Sequence, residues 1–324
     1  MSQEIYDTIV IGGGPAGVGA AVYTARKKLN TLLITEEFGG QSVVSSGIEN
    51  WIGEESITGL ELAKRLEKHV RAQEGIEIKI PEKVTKANET SDCRFEVKTD
   101  KGVYFSKTLI IASGARRRRL KVPGEDKLEG KGVAFCSTCD APFFKDQDVA
   151  VIGGGNAALE TVIDLFPYAK KIYLLIRGED MKGDPVTQEQ VSQSQKVSLI
   201  HNVEVQEILG NEVVTGLRYK DKKAGANKEL KIGGVFVEIG SVPNSEFVRD
   251  LLKTNEAKEI VIDHRTARTS KEGIFAAGDV TNDPFKQNNI SAGDGVRAAL
   301  SAYNYLLNIK KYSPCEEEDT DETI

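Results

Sequence analysis

Apolar and polar positions follow two rhythms along this chain. Short β-branched runs, such as Ile5 to Ile11, Thr31 to Thr35 and DVAVI before Gly153, are bounded by glycine or charge, as strands buried on both faces require. Other segments carry helical spacing: Gly59 to Ala72 is amphipathic, an Ala-rich stretch follows the first run, and SAGDGVRAALSAYNYLLNIKK reads as a long helix. Further β-rich runs lie at Arg94 to Tyr104, Val203 to Ile208 and Val213 to Tyr219. The order strand, helix, strand occurs twice, and the pattern as a whole predicts an α/β protein.

Both strand–helix–strand units turn on glycines. In the first, Gly12-x-Gly14-x-x-Gly17 stands between strand and helix, and Glu36 follows the second strand nineteen residues after Gly17. The glycines permit a tight turn, close approach to a pyrophosphate and helix-on-strand packing, while the carboxylate can take a ribose hydroxyl. The second unit has Gly153-x-Gly155-x-x-Ala158 and a strand ending near Ile176. It lacks the acid; Ile176 and Arg177 stand there, with Lys182 beyond. A cation at this place suits the extra phosphate of NADP, which favours NADPH, although solvated loop charges would read the same.

A third segment, GIFAAGDVTNDPF, places a short apolar strand before Gly278 and Asp279, then Lys286-Gln287 and the long helix. A carboxylate at a strand end can hold a ribityl hydroxyl, and a helix N-terminus can stabilise a reduced flavin. Its position far down the chain predicts that the first domain is interrupted, left near Gly114 and resumed near Phe247. The crossings run through Ala112-Ser113-Gly114 and Gly240-Ser241, each followed by a proline, and make a hinge. Arg116 to Arg119 form the densest basic cluster, readable as an acidic docking patch or as a solvated hinge loop.

Composition narrows the function. The 324 residues suffice for two domains, and the net charge of −6 gives no general case for nucleic acid or an anionic membrane surface. No apolar stretch approaches a membrane span and no signal peptide is apparent, so the cytoplasm is the expected compartment. Four cysteines do not make a disulfide framework. Two of them, in CSTCD (Cys136 to Asp140), are spaced for a redox dithiol, in which one thiolate attacks and the other resolves. Zinc would need two further ligands, and Cys93, Cys315 and three scattered histidines do not offer them. Asp140 is placed to shuttle a proton, or is simply a turn residue. Cys93 and Cys315 are read as incidental, and the Pro-led acidic end (315–324) as a tail.

GGGPAG, FGGQ (Phe38 to Gln41), IENWIG (Ile48 to Gly53), CSTCD, GGGNAALE, VEIGSVPN and FAAGDV occur in the order of the low-molecular-weight thioredoxin reductases, which the chain resembles from Glu4 to about Lys310. TEEFGGQ, CDAPFFK, MKGD and FKQ are closer to the reductase portion of the alkyl hydroperoxide reductase flavoprotein. The resemblance implies two Rossmann-like nucleotide-binding domains, the second inserted into the first. Residues 1–115 and 247–314 would bind FAD, and 116–246 would bind NAD(P)H and carry the dithiol.

Carried onto matching positions, the resemblance implies FAD contacts at Gly12, Gly14, Pro15, Ala16, Gly17, Glu36, Gly40, Gln41, Asn50, Val84, Ser113, Gly114, Gly278, Asp279, Lys286 and Gln287. Nicotinamide-nucleotide contacts fall on Gly153, Gly155, Asn156, Ala157, Ala158, Arg177 and Lys182. Cys139 would be the thiol beside the flavin, Cys136 the one that attacks a partner, and Asp140 the acid–base residue. A homodimer, rotation of the insert about its two-strand hinge, and a separate thioredoxin-like or glutaredoxin-like partner with its own disulfide are also implied. The chain departs from the family at the donor site: the HRRxxxR pattern is reduced to Arg177 and Lys182, and the glutamate of the peroxide-system reductases is absent at Ile176. NADH or a ferredoxin therefore stand as alternative donors. A small-molecule dithiol oxidase is a further reading, though such relatives carry His where Asp140 stands.

Overall fold

The computed structural model describes residues 4–45 and 47–312, with side chains to residue 308. Cys315 and the acidic end lie outside the described residues. The first strand, β1 (Ile5–Gly13), feeds α1 (Pro15–Arg26) and returns as β2 (Thr31–Phe38), parallel to it. Then follow α2 (Gly59–Arg71), β3 (Ile76–Lys79), β4 (Val84–Glu89), β5 (Phe95–Thr99) and β6 (Val103–Ile111). The sheet order is β3-β2-β1-β6-β5-β4. Ile9 and Val10 are both fully buried, as expected for a parallel strand covered on both faces.

The chain then leaves through β7 (Ala115–Arg117). Beyond it come β8 (Val133–Ala134), the one-turn helix α3 (Ser137–Asp140), β9 (Asp148–Ile152), α4 (Asn156–Leu165), β10 (Lys171–Leu175), α5 (Pro185–Gln193) and β11 (Val197–Ile200). A three-stranded antiparallel sheet, β12 (Val203–Gly210), β13 (Val214–Asp221) and β14 (Ala226–Lys231), precedes β15 (Gly234–Val237). The parallel sheet here runs β11-β10-β9-β15-β8. Its core follows from the two-residue period of a strand. Val149 and Val151 of β9 pack with Ala158, Leu159, Val162 and Leu165 of α4, while Ala150 and Ile152 face Val203, Ile208, Leu217 and Tyr219 of the antiparallel sheet.

The return is β16 (Ser241–Pro243), paired with β7 as a two-stranded ribbon. Next, β17 (Ile274–Ala276) rejoins the first sheet, parallel to Leu109–Ile111 of β6, on the edge whose other half (Val103–Ser106) pairs with β5. The helix α6 (Asn288–Tyr312) packs extensively on α1. One sheet is thus made from two distant stretches of the chain.

By contacts, the described residues divide into two compact units. One takes those up to Val43, Leu60–Arg116 and those from Val242 onward; the other takes Val44–Gly59 and Arg117–Ser241. The stretch Val44–Gly59, which the sequence reading put in the first domain, groups with the second: the Ser45 carbonyl accepts the Gly59 N–H, and Gly47 lies against the Phe143 ring. No helix among the described residues is long and apolar enough to cross a membrane.

Candidate active site

In the first unit the turn after β1 is closed by glycines that nothing larger could replace. Gly12 has φ +117°, and a Cβ there would lie 2.2 Å from the Ala112 carbonyl oxygen; a Cβ on Gly17 would lie 1.8 Å from that of Gly12. Gly14 caps α1 without a side chain, Pro15 follows it, and the first turn holds no acid. The N–H groups and positive end of this 12-residue helix are therefore unblocked by any cap or acid of its own first turn, which suits a phosphate. Ala16 lies 3.0 Å from where a Cβ on Gly278 would stand, which brings this turn to the late segment. Glu36, just past the buried run of β2, is exposed and paired with Lys83 at 3.1 Å.

Some of the remaining flavin candidates gather around Asp279, and others do not. Gln41, in the turn that begins at Gly40, donates from Nε2 to Asp279 Oδ2 at 3.0 Å, across 238 positions of sequence. Ser291 donates to its Oδ1 at 3.3 Å, and the Gln287 carbonyl accepts the Ser291 N–H at 2.8 Å. Lys286 is turned inward: its ammonium bonds the carbonyls of Thr281 and Asp279 and pairs with Glu259 at 3.1 Å. Ser113 and Gly114 hold the returning chain through Asn244, which accepts from Ser113 Oγ at its carbonyl (2.7 Å) and donates from Nδ2 to the Ser113 carbonyl (2.8 Å). Its N–H also donates to the Gly114 carbonyl. Val84, half-buried, opens β4, and Asn50 lies in the stretch grouped with the second unit.

The second unit repeats the first turn's design. A Cβ on Gly153 would meet the Glu238 carbonyl at 2.3 Å, and Gly155, with open space around it, caps α4. Neither a side-chain cap nor a first-turn acid blocks that helix end, whereas α5 is capped by its own Asp184. Asn156 accepts the Asp184 N–H at Oδ1 (2.7 Å), and the Lys182 N–H donates to the Gly154 carbonyl (2.6 Å), so the Met181–Asp184 loop folds onto the glycine turn. Ala157 is exposed and Ala158 buried. Arg177 and Lys182 are exposed, while Ile176 is 2% exposed within the apolar core.

The dithiol stands on the same unit. Cys136 is extended and caps α3, Cys139 lies one turn on, and the two form a disulfide with Cα atoms 5.4 Å apart. Two hydrogen bonds fix the turn: Asp140 N–H to the Cys136 carbonyl (3.0 Å) and Ser137 Oγ to Asp164 Oδ2 on α4 (2.7 Å). Burial pushes the Asp140 carboxyl up to about 6, against the pull of Arg117, so it can exchange a proton near neutral pH. Among the described residues no group of three or more His, Cys, Asp or Glu is arranged to hold a metal.

The four arginines do not form one basic patch. Arg116 bonds Asn244 and Glu246 (2.7 and 2.6 Å), and Arg119 pairs with Glu129 (2.5 Å) beneath a cation–π contact to Phe135. Arg117 supplies the positive charge near Asp140, and the Arg118 N–H continues the pairing of the crossings at Gly240. Arg116 and Arg119 are committed to carboxylates, while Arg116 and Arg118 are exposed, as the solvated-loop reading expects.

Residues 6–299 match the model of the pyridine nucleotide-disulphide oxidoreductases. The chain belongs to that family.

Among curated relatives, an alkyl hydroperoxide reductase component of Staphylococcus aureus and an NADH dehydrogenase of Bacillus subtilis are each 41% identical over 306 residues, 94% of this chain. The chain spans only 60% and 59% of those two proteins. Among solved structures, thioredoxin reductase from Streptococcus pyogenes superposes with a TM-score of 0.88 at 36% identity, covering 95% of this chain and all of that one. Thioredoxin reductase from Giardia duodenalis gives 0.87 at 30%, covering 94% of this chain and again all of that one. The chain therefore has the thioredoxin reductase fold within the pyridine nucleotide-disulphide oxidoreductase family. Membership implies a flavin and a nicotinamide cofactor, and the two unblocked glycine turns fit such ligands.

Sequence reasoning passed over Asn244, which holds Ser113, and Ser137, which ties the cysteine turn to Asp164. Asn244 was visible in VEIGSVPN, but nothing in that pattern says that Glu238, just past β15, is 8% exposed.

Proposed function

We propose that this chain is an FAD-dependent thioredoxin-disulfide reductase. Electrons would pass from NAD(P)H through FAD and the Cys136–Cys139 disulfide to a thioredoxin-like or glutaredoxin-like protein with its own disulfide. The observation that carries this reading is a disulfide and a proton-exchanging carboxyl side by side on the unit that also bears an unblocked nucleotide turn. Bound flavin would supply two-electron transfer; Gly12, Gly14, Gly17, Glu36, Gln41 and Asp279 would hold it. Gly153, Gly155 and Ala157 would receive the nicotinamide nucleotide, with Arg177 and Lys182 favouring NADPH over NADH. Cys139 would face the flavin, Cys136 would attack the partner, and Asp140 would give and take the proton. The enzyme would work as a cytoplasmic homodimer.

Anaerobic addition of NADPH and NADH in separate runs, followed by flavin absorbance, tests the donor. Rapid bleaching by NADPH is expected. Absence of bleaching by both would make a ferredoxin-fed disulfide reductase the better account, a reading favoured by the apolar Ile176 where an acid would otherwise select NADH. Cys139→Ser should leave flavin reduction in place and abolish partner turnover; persistent turnover would sink the assignment. Oxygen uptake driven by a small dithiol would instead support a dithiol oxidase.

A further inference from the structure

We propose that Glu259 and Lys286 are positioning residues for the flavin: as a pair they staple the Asp279 turn in place, and neither touches the cofactor. The inference rests on the flavin-dependent reading above and gives Glu259 a part in it.

The turn to be held is small. The strand β17 that leads into it has three residues, and Gly278 follows shortly with φ +74°. The Asp279 carboxylate is gripped by Gln41 and Ser291, one hydrogen bond to each oxygen. A carboxylate offers roughly four lone-pair sites, so capacity remains for a ribityl hydroxyl. The backbone of the turn is held by other groups. Thr281 Oγ1 donates to the Gly278 carbonyl at 2.8 Å. The Ile260 N–H donates to the Val280 carbonyl (2.9 Å), and the Asn282 N–H to the Ile260 carbonyl (3.0 Å). The segment at Glu259 and Ile260 therefore runs directly beside the turn, and Ile260, Val280 and Thr281 are all fully buried.

Lys286 closes this arrangement. Seven positions after Asp279 its ammonium returns to the turn, bonding the carbonyls of Thr281 and Asp279, the latter at 3.4 Å. The third partner is Glu259 Oε1 at 3.1 Å. An ammonium has three donors and no acceptor, so all of its capacity is spent inside the fold and none is left for a flavin. Glu259 is fixed in turn by Asn255. Its Oε2 accepts from Asn255 Nδ2 (2.7 Å), its N–H donates to Asn255 Oδ1 (2.9 Å), and its carbonyl accepts the Asn255 N–H (3.0 Å). The side chains of Lys286 and Glu259 are only 25% and 21% exposed, which sets the pair apart from the solvent-screened bridges of the surface. The next residue, Gln287, accepts the Ser291 N–H at 2.8 Å, and Ser291 grips Asp279. Lys286 thus also sets where the first turn of α6 stands relative to that carboxylate.

The sign of each charge separates this role from direct contact. FAD is anionic through its pyrophosphate. A lysine touching it would hold it by attraction, and a glutamate beside that lysine would oppose binding. In a staple both groups serve the same tie, so losing either one loosens Asp279 and weakens the hold on the flavin.

The test uses the full chain with its flavin bound and follows release of FAD on dilution, read from the rise of free-flavin fluorescence. Glu259→Gln and Lys286→Met should each speed release by about tenfold or more, although one removes a negative charge and the other a positive one. The double variant should release FAD no faster than Lys286→Met alone, since the two groups act as one tie. Visible circular dichroism of the flavin still bound, which reports its surroundings and not the stability of the fold, should change alike in both single variants. Slower or unchanged release in Glu259→Gln overturns the proposal, and this near-isosteric variant decides the matter by itself should Lys286→Met fail to fold. A lowered urea midpoint with release and dichroism unchanged overturns it as well, because the pair would then serve the fold alone. Wild-type protein that neither carries nor takes up FAD would instead defeat the flavin reading itself.

Discussion

At the scale of single residues the site is decided by where a side chain is forbidden and where one hydroxyl stands. Gly12→Ala would drive a methyl against the Ala112 carbonyl at a φ that L-residues avoid. We expect it to cost more than about 2 kcal/mol and to yield protein with little bound flavin, read from urea unfolding and visible absorbance. Ser137→Ala removes a hydroxyl that ties the cysteine turn to Asp164. The expected loss is about 1–2 kcal/mol, since a charged acceptor is left short of a partner. Partner turnover should fall with it while flavin reduction by the nucleotide is kept. Equal losses in both activities would mean that the bond supports the whole unit and not the dithiol.

Among the elements, α4 does three things at once. Its N-terminus is left open beside Gly155, its inner face fills the core under β9, and its Asp164 holds Ser137 of the cysteine turn. Ala157→Glu places an acid in the open first turn. The free helix gains about 0.3–1 kcal/mol from its dipole, while a nucleotide phosphate is repelled. Titration with NADPH should therefore show affinity weakened by roughly tenfold or more, together with an unchanged or slightly higher Tm. A variant that binds NADPH normally would mean that this turn does not take the phosphates. Leu159→Ala, at a fully buried position of the same helix, should cost about 2–5 kcal/mol by the cavity it leaves, measured as a shift of the urea midpoint.

For the whole molecule the pH dependence of stability has a defined sign. In the unfolded chain Asp140 and Glu238 ionise at ordinary carboxylate values, whereas folding raises them to about 6 and about 7. Between those values the folded state holds more protons, so this part of the stability is present at low pH and is lost as pH rises through about 7. At about 1.4 kcal/mol per pH unit, the pair can remove a few kcal/mol between acid and neutral conditions. Carboxylates held low by their partners, such as Glu77 beside Lys79 and Glu246 beside Arg116, act oppositely, losing their contribution as pH falls. Chemical denaturation of Glu238→Gln at several pH values should show a flatter decline than the wild type between pH 5 and about 8. An identical slope would mean that Glu238 is not the group being titrated.

Much of this was legible in one dimension. The two glycine turns, the βαβ units around them and the dithiol spacing are local, because a phosphate turn and a CxxC each close within a few residues. The return of the chain to its first sheet was readable from GIFAAGDV, since only a strand joining an existing sheet makes sense of so short an apolar run. Hidden from the sequence were the facts that depend on distance across the fold: Gln41 against Asp279, Lys286 turned onto Glu259, Val44–Gly59 grouped with the second unit, and a glutamate buried just past β15. Periodicity reports which face of an element is apolar, and that determined the layers. It carries no record of which polar groups are brought together when the faces close. Burial then sets their protonation, and that was decided only by the tertiary structure.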